Sequence, residues 1–109
     1  MIMKLWIDDI RQPPEGYVWC KTVNEAKTII TCVHRMHDII CTDNLPDIEI
    51  IDLDHDAGDF AQYGGDYVKL LDWIERAGFS YPIHIHSMNP VGIENMRRII
   101  DRNNWKEVR

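Results

Sequence analysis

The sequence contains little cysteine and no CxxC pair. Its three cysteines are odd in number and widely spaced, whereas disulfide frameworks and structural zinc sites need paired or clustered cysteines. We therefore expect reduced thiols that hold neither a disulfide nor a metal. The three residues are Cys20, Cys32 and Cys41.

Long hydrophobic runs are also absent. No apolar run approaches the roughly 18 residues that a membrane helix needs, and Met1 opens a strand-like segment rather than a signal peptide. These observations predict a cytoplasmic protein without a membrane anchor. The chain has 109 residues, of which 45% are hydrophobic, and this size suits one globular domain, residues 1–109.

Positive charge is scarce. The chain has 12 lysines and arginines against 18 aspartates and glutamates, a net charge of −6. Duplex DNA and anionic membranes attract proteins through a basic face, so neither is expected as a partner. A bound metal cation would reverse the sign of the charge locally.

Strand-like and helix-like segments alternate along the chain. Short apolar runs predict strands, and apolar residues at helical spacing predict helices. Residues 38–44 match neither pattern clearly. The predicted strands cover residues 3–7, 17–21, 48–53, 82–86 and, as a short last strand, 105–108; the predicted helices begin after the capping box at Thr22, near Tyr67 and at Pro90.

This alternation predicts an α/β fold with an open, mostly parallel sheet that helices cover on both faces. Residues 8–16 are too few for the helical crossover of about a dozen residues that normally joins parallel strands. The second strand is therefore either an antiparallel edge strand or the end of a crossover that has lost its helix. In such folds ligands bind beyond the carboxyl ends of the strands.

Aspartates are concentrated at two of these strand ends. Asp8 and Asp9 follow the first predicted strand, and Asp52, Asp54 and Asp56 lie at the end of the third. Carboxylates that meet at one edge of a sheet repel one another unless a cation lies among them or some are protonated. We therefore expect a bound divalent cation at this edge.

An EF-hand calcium loop is a second explanation of the spacing of Asp52, Asp54 and Asp56. The sixth position of that loop must be glycine and the twelfth a bidentate glutamate. Here these positions hold Ala57 and Tyr63, and a strand rather than a helix precedes them. The EF-hand explanation therefore fails.

The histidines influence which metal is expected. Oxygen ligands alone favour Mg²⁺, Mn²⁺ or Ca²⁺, whereas participation of His55 or His86 favours Mn²⁺, Fe²⁺ or Zn²⁺. His84 and His86 alternate with isoleucines, so both face one side of the fourth strand. We expect His84 to be a hydrogen-bonded core residue and His86, nearer the strand end, to be functional.

Three further polar residues can bind a phosphate. Asn89 is a helix N-cap, and the free N–H groups of a helix N-terminus suit an anion. Ser87 adds a hydroxyl group. Arg11 follows the acidic pair and is expected to contact either a phosphate or one of the carboxylates.

Three stretches, "LWIDDIRQPPEG", "LDHDAG" and "HIHSMNPVG", resemble the phosphoacceptor receiver domain of two-component response regulators. They resemble more closely its divergent relative, the cyclic-phosphate processing receiver domain. The resemblance covers nearly the whole chain. It implies a receiver-like (flavodoxin-like) three-layer sandwich, here reduced by loss of the first crossover helix.

The resemblance also implies roles for individual residues. Asp8 and Asp9 match the metal-binding pair of receivers, Asp54 the phosphoacceptor, and Ser87 the hydroxyl residue that contacts a phosphoryl group. The divergent family's own motifs match this sequence at three further positions. Those positions are His55, His86 and Asn89.

Two departures from the classical receiver affect the expected activity. The first crossover helix has no room, and the lysine expected near the end of the fifth strand has no convincing match, because Lys106 is not followed by proline. Ordinary aspartyl-phosphate signalling is therefore not expected. The resemblance implies instead the processing of a cyclic phosphate.

These observations predict a magnesium- or manganese-dependent phosphoesterase, a hydrolase acting on a small or strand-terminal cyclic phosphate. In this hypothesis Asp8, Asp9 and Asp54 bind the metal, His86 or His55 donates a proton, and Asp54 is either a ligand or the nucleophile. The alternative is a non-catalytic receiver-like module that binds a metal or phosphorylated ligand and regulates a partner, with homodimerisation possible.

Overall fold

The computed structural model describes residues 2–39 and 45–109. Cys41 and most of the ambiguous segment 38–44 lie outside the described residues. The elements, in order, are β1 (Ile2–Ile7), β2 (Tyr17–Cys20), α1 (Val23–Ile39), β3 (Asp47–Leu53), a 3₁₀ helix (Gly58–Tyr63), α2 (Val68–Ala77), β4 (Ile83–Ile85) and α3 (Pro90–Arg102).

Local sequence signals set the helix ends. The Thr22 hydroxyl accepts a hydrogen bond from the backbone N–H of Glu25 at 2.9 Å, which confirms Thr22 as the N-cap of α1. Gly78 ends α2 in the left-handed conformation, with φ of +76°. The Asn89 side chain accepts a hydrogen bond from the N–H of Gly92 and begins α3.

The four strands form one parallel sheet in the order β2-β1-β3-β4. The parallel pairing of β1 with β2 decides between the two alternatives for the second strand, because the segment that joins them, residues 8–16, contains no helix. The crossover has lost its helix. The predicted last strand is reduced to a single parallel bridge between Ile83 and Glu107. The receiver-like α/β fold is thus confirmed.

The register of the sheet sorts the strand residues onto two faces, because side chains paired across parallel strands share a face. One face joins the apolar core under the helices, in which Leu5, Ile7, Ile51, Leu53 and Ile83 are all fully buried. We call the other the open face. It consists of a row with Tyr17, Lys4 and Ile50, and a second row with Trp19, Trp6, Asp52 and His84.

The described helices lie on one face of the sheet. Every helical crossover runs in the same direction across the sheet, from β2 past β1 to β3, and then to β4. Right-handed crossovers in one direction place their helices on one face, and α2 packs against both α1 and α3. Helices were expected on both faces of the sheet, but the described helices cover one face, because the crossover between β1 and β2 contains no helix.

One irregularity interrupts the pairing of β1 with β3. Met3 pairs with Ile48, but the next residue, Lys4, pairs with Ile50. Glu49 is therefore an extra residue in β3, as in a β-bulge.

The two described cysteines are both free thiols. Cys20 is buried in the core, where burial raises its pKa to about 12. Cys32 is exposed on α1. No helix within the described ranges is long and apolar enough to cross a membrane.

Candidate functional site

The acidic residues of β1 and β3 meet at the carboxyl edge of the sheet. One carboxylate oxygen each from Asp8, Asp9 and Asp54 lie within 4.8 Å of one another. The backbone brings them together, because the N–H of Asp54 donates to the carbonyl of Ile7 at 2.9 Å and extends the pairing of the two strands. We call these three residues the acidic cluster.

Asp8 is the buried member of the acidic cluster, with 1% of its surface exposed. Its Oδ1 accepts hydrogen bonds from the backbone N–H groups of Ile10 and Arg11, both at 3.0 Å. Burial alone would raise its pKa, but these bonds and the neighbouring His86 outweigh burial and lower it. Asp8 therefore stays ionised within the fold.

The pKa of Asp9 is shifted in the opposite direction. Burial raises its pKa, and the carboxylates of Asp8 and Asp54 raise it further. This repulsion is what a bound cation relieves, and the three side chains supply only oxygen ligands, which suit a hard divalent ion. Among the residues that the structure describes, neither His55 nor His86 belongs to this acidic cluster.

His86 lies between two carboxylates. Its Nδ1 is 2.5 Å from Oδ1 of Asp52, and its Nε2 is 2.8 Å from Oδ2 of Asp8. An imidazole that donates from both nitrogens is protonated. Burial alone would lower the pKa of His86, but the two carboxylates outweigh burial and raise it.

Two further contacts fix the position of His86. Its ring stacks on Trp6 with 4.0 Å between ring centroids and 6° between the planes. Its backbone N–H donates to the carbonyl of Leu53 at 2.9 Å, which continues the pairing of β3 with β4. The imidazole is therefore held at the same edge as the acidic cluster.

The family of the chain follows from its similarity to known proteins. The model of the cyclic-phosphate processing receiver domain matches residues 3–102. The chain belongs to that family. Comparisons with curated proteins and with solved structures give no match.

Three other predicted residues of this cyclic-phosphate processing receiver domain lie beside the edge. Nη1 of Arg11 donates to the backbone carbonyl of His86 at 2.9 Å. The Ser87 hydroxyl accepts from the N–H of Asn89 at 3.1 Å. Asn89 in turn caps α3 through Gly92, so both side chains build the turn that precedes the helix.

His55 occupies a different environment. Its Nδ1 lies 2.9 Å from Oδ1 of Asp56, and its ring packs against α3 so closely that a Cβ atom on Gly92 would overlap it. Asp54 and His86 thus both lie beside Asp8, whereas the ring of His55 packs against α3. His84 has a backbone partner, with Nδ1 2.7 Å from the carbonyl of Val108.

The receiver-like site also contains Asp52, which the sequence placed among the carboxylates of this edge without assigning it a role. Asp52 is buried, with 6% exposed, and its one described side-chain partner is His86. A signal was present in the sequence, because Asp52 and Asp54 lie two residues apart and, in an extended segment, point to the same side. Its partner could not be identified without the register between β3 and β4.

Proposed function

We propose that this receiver-like protein is a metal-dependent phosphoesterase that adds water to a cyclic phosphate. One observation carries the proposal: the carboxylate of Asp8 belongs to the acidic cluster and also contacts Nε2 of His86 at 2.8 Å. A group that can donate a proton is therefore held against residues that can hold a divalent cation. Membership of the cyclic-phosphate processing family supports the substrate class.

The metal-binding residues in this proposal are Asp8, Asp9 and Asp54. Their all-oxygen donor set and mutual repulsion fit Mg²⁺ or Mn²⁺. When bound, such an ion polarises the phosphoryl group and lowers the pKa of a water molecule. The protein's part is to hold the three carboxylates at one strand edge.

The reaction needs one proton donor. The attacking water gives one proton to solvent as its oxygen bonds to phosphorus. One ester P–O bond of the ring breaks, and the leaving alkoxide takes a proton from the donor, which solvent then reprotonates, giving a phosphomonoester and a free hydroxyl. His86 donates that proton from Nε2. The hydrogen bond from Nε2 to Asp8 is first replaced by one to the leaving oxygen, while Nδ1 remains hydrogen-bonded to Asp52. His55 is the second candidate donor, and a covalent route with Asp54 as nucleophile has the same products.

Arg11, Ser87 and Asn89 form the proposed phosphate-binding side of the site. The contact of Arg11 with the His86 carbonyl holds its guanidinium beside the acidic edge, where it can balance the charge of the transition state. Ser87 and Asn89 shape the N-terminal turn of α3, whose free N–H groups suit an anion.

The test uses purified protein with Mg²⁺ or Mn²⁺ and nucleoside 2′,3′- and 3′,5′-cyclic phosphates, with the phosphomonoester measured by phosphorus NMR. Loss of supporting residues around a metal costs about 10- to 100-fold in activity, so Asp54→Asn, which removes a direct ligand, should cost about 100-fold or more. Asp59→Asn, exposed on the 3₁₀ helix, is the matched control. No hydrolysis by the wild type, or hydrolysis that Asp54→Asn leaves unchanged, would end the proposal.

A second candidate function, a non-catalytic module that binds a metal or phosphorylated ligand and regulates a partner, is favoured by one observation. Both nitrogens of His86 are already bonded to carboxylates, so no nitrogen is free to serve a substrate in this arrangement. Titration calorimetry with metal and a cyclic phosphate separates the two functions. Tight binding without turnover supports the module.

A further inference from the structure

The open face contains a groove at the end of the sheet away from the acidic cluster. The groove has a volume of about 250 Å³ and includes the first row of that face, Tyr17, Lys4 and Ile50. Lys4 precedes Asp8 by four residues, about 13 Å along an extended strand. The groove is therefore a different place from the acidic cluster.

The sheet register extends this row beyond β3. Ile83 bridges in parallel to Glu107, so the preceding residues, Pro82 and Lys106, lie side by side. The register of β3 with β4 places Pro82 beside Ile50. The N–H of Ile83 also donates to the carbonyl of Lys106 at 2.9 Å, which holds this segment against β4. The groove thus has a lysine on β1, two apolar residues, and a second lysine beyond β4.

The two lysines differ in their partners. The ammonium of Lys4 lies 3.8 Å from the carboxylate of Glu49 and 5.5 Å from the ring centroid of Tyr17. Lys106 is exposed, and no described carboxylate lies within 4.0 Å of its ammonium. Two lysines and one glutamate line the groove, which leaves one net positive charge in a chain of net charge −6. The groove therefore attracts an anion of single charge.

The apolar part of the groove is incompletely covered. Parallel sheets are normally covered on both faces, but Ile50, Pro82 and Val108 in this groove are only half-buried. The volume lies just below the roughly 300–1,000 Å³ of typical ligand pockets. A protein partner usually covers about 800 Å² of surface, so a cavity of this size suits a small molecule better.

We propose that this groove binds a small carboxylic acid with an apolar body, in its anionic form. The carboxylate lies against Lys106, the apolar body covers Ile50 and Pro82, and Tyr17 bounds the groove at β2. A phosphomonoester carries nearly two negative charges at neutral pH, more than the groove balances. The site goes beyond the proposed function and does not depend on it.

Binding is tested by NMR titration of the isotope-labelled protein, without divalent metal, using hydrocinnamate, a phenyl-bearing carboxylate. Saturable shifts should appear at the amides of Ile50, Lys106 and Val108. Lys106→Glu should weaken binding about tenfold. Lys69→Glu, which changes the charge equally at an exposed position on α2, should leave the affinity unchanged. Ile50→Thr, which exchanges apolar atoms for a hydroxyl group, should weaken binding about fivefold.

Two further ligands separate the contributions of charge and apolar surface. Hydrocinnamyl alcohol lacks the charge and acetate lacks the apolar body, so each should bind more weakly than hydrocinnamate. Equal binding of the alcohol, equal losses in Lys106→Glu and Lys69→Glu, or no saturable shift at millimolar hydrocinnamate would each overturn the proposal.

Other occupants of the groove give different results, each of which would also refute the proposal. Tighter binding of phenyl phosphate would indicate a phosphate ligand, and tighter binding of a blocked tetrapeptide of leucine and glutamate would indicate a protein partner. A dimer in sedimentation that Lys106→Glu disrupts would indicate a second copy of the chain. Asp54→Asn should leave hydrocinnamate binding unchanged, so this site and the proposed phosphoesterase can fail separately.

Discussion

At the scale of single residues, the site depends on how His86 is oriented. A buried imidazole needs partners for both nitrogens, and here one partner, Asp8, belongs to the acidic cluster while the other, Asp52, does not. In the proposed reaction Asp52 therefore acts through His86 as a positioning residue. Its charge favours an imidazolium whose Nε2 faces the site.

Asp52→Asn tests this role. Asparagine keeps an oxygen that can accept from Nδ1 but removes the negative charge, so we expect kcat to fall about 10- to 100-fold with little change in KM. Circular dichroism and the free energy of unfolding should show that the fold is retained. Asp101→Asn, exposed on α3, is the control, and an equal loss in both variants would contradict the role.

Gly58 is the second residue with a specific consequence for the site. Its φ is +54°, and a Cβ atom there would lie 2.5 Å from Oδ2 of Asp9. In Gly58→Ala the flexible Asp9 carboxylate should turn away, so we expect weaker Mn²⁺ binding by calorimetry. Gly16→Ala is a matched control, because φ is +89° there and nothing lies within 4 Å.

Both glycine variants should lose about 1–2 kcal/mol of stability from left-handed strain, measured by urea denaturation. Only Gly58→Ala should also lose metal affinity. Equal metal affinity in the two variants would show that Asp9 is not a ligand.

At the scale of elements, α2 and α3 are joined by a carboxylate clamp at their carboxyl ends. Glu75 accepts hydrogen bonds from Nε and Nη2 of Arg102, both at 2.7 Å, and from the amide of Asn103. The bonds from Arg102 and then Asn103 lower the pKa of Glu75 to about 2. The clamp is therefore ionised at neutral pH.

Glu75→Gln should remove a pH-dependent part of the stability. Because the pKa of Glu75 falls on folding from its ordinary value of 4.5 to about 2, its contribution is complete above pH 4.5 and disappears as the pH falls towards 2. Urea denaturation should show a wild-type advantage at pH 6 that vanishes near pH 2. Glu94→Gln, which breaks an exposed pair within α3, is the control and should change stability little.

The elements were largely predictable because their signals are local. The capping box at Thr22, the cap at Asn89 and the glycine at Gly78 act within a few residues of the helix ends that they determine. The acidic cluster was predictable because strand ends in a parallel sheet meet at one edge. The direction of β2 and the partner of Asp52 were not, since both depend on pairing between strands distant in sequence.

At the scale of the whole molecule, the described residues form an apolar core on one side of the sheet. The missing first helix was visible in the sequence, but its consequence for the layers depends on the strand order, which places every remaining crossover on the same face. Neighbouring residues of β3 should therefore differ sharply in their contribution to stability. Ile51 is fully buried in the core, while Ile50 is half-buried on the open face.

Ile51→Ala should cost about 2–5 kcal/mol of unfolding free energy, because it leaves a cavity in a packed core. Ile50→Ala removes the same atoms from a surface that already touches water, so its cost should be clearly smaller. Urea denaturation of the two variants at one pH gives the comparison. Equal costs would mean that both faces of the sheet are covered in solution.

The extra residue at Glu49 determines which face of the sheet each later side chain of β3 points to. Ile48 and Ile51 both face the core, although an uninterrupted strand would put Ile48 and Asp52 on the same side, because side chains alternate. Without the surplus residue, the carboxylate of Asp52 would point into hydrocarbon and Ile51 would point outward. The inserted residue thus directs the ionisable side chain of Asp52 away from the helices and the aliphatic side chain of Ile51 towards them.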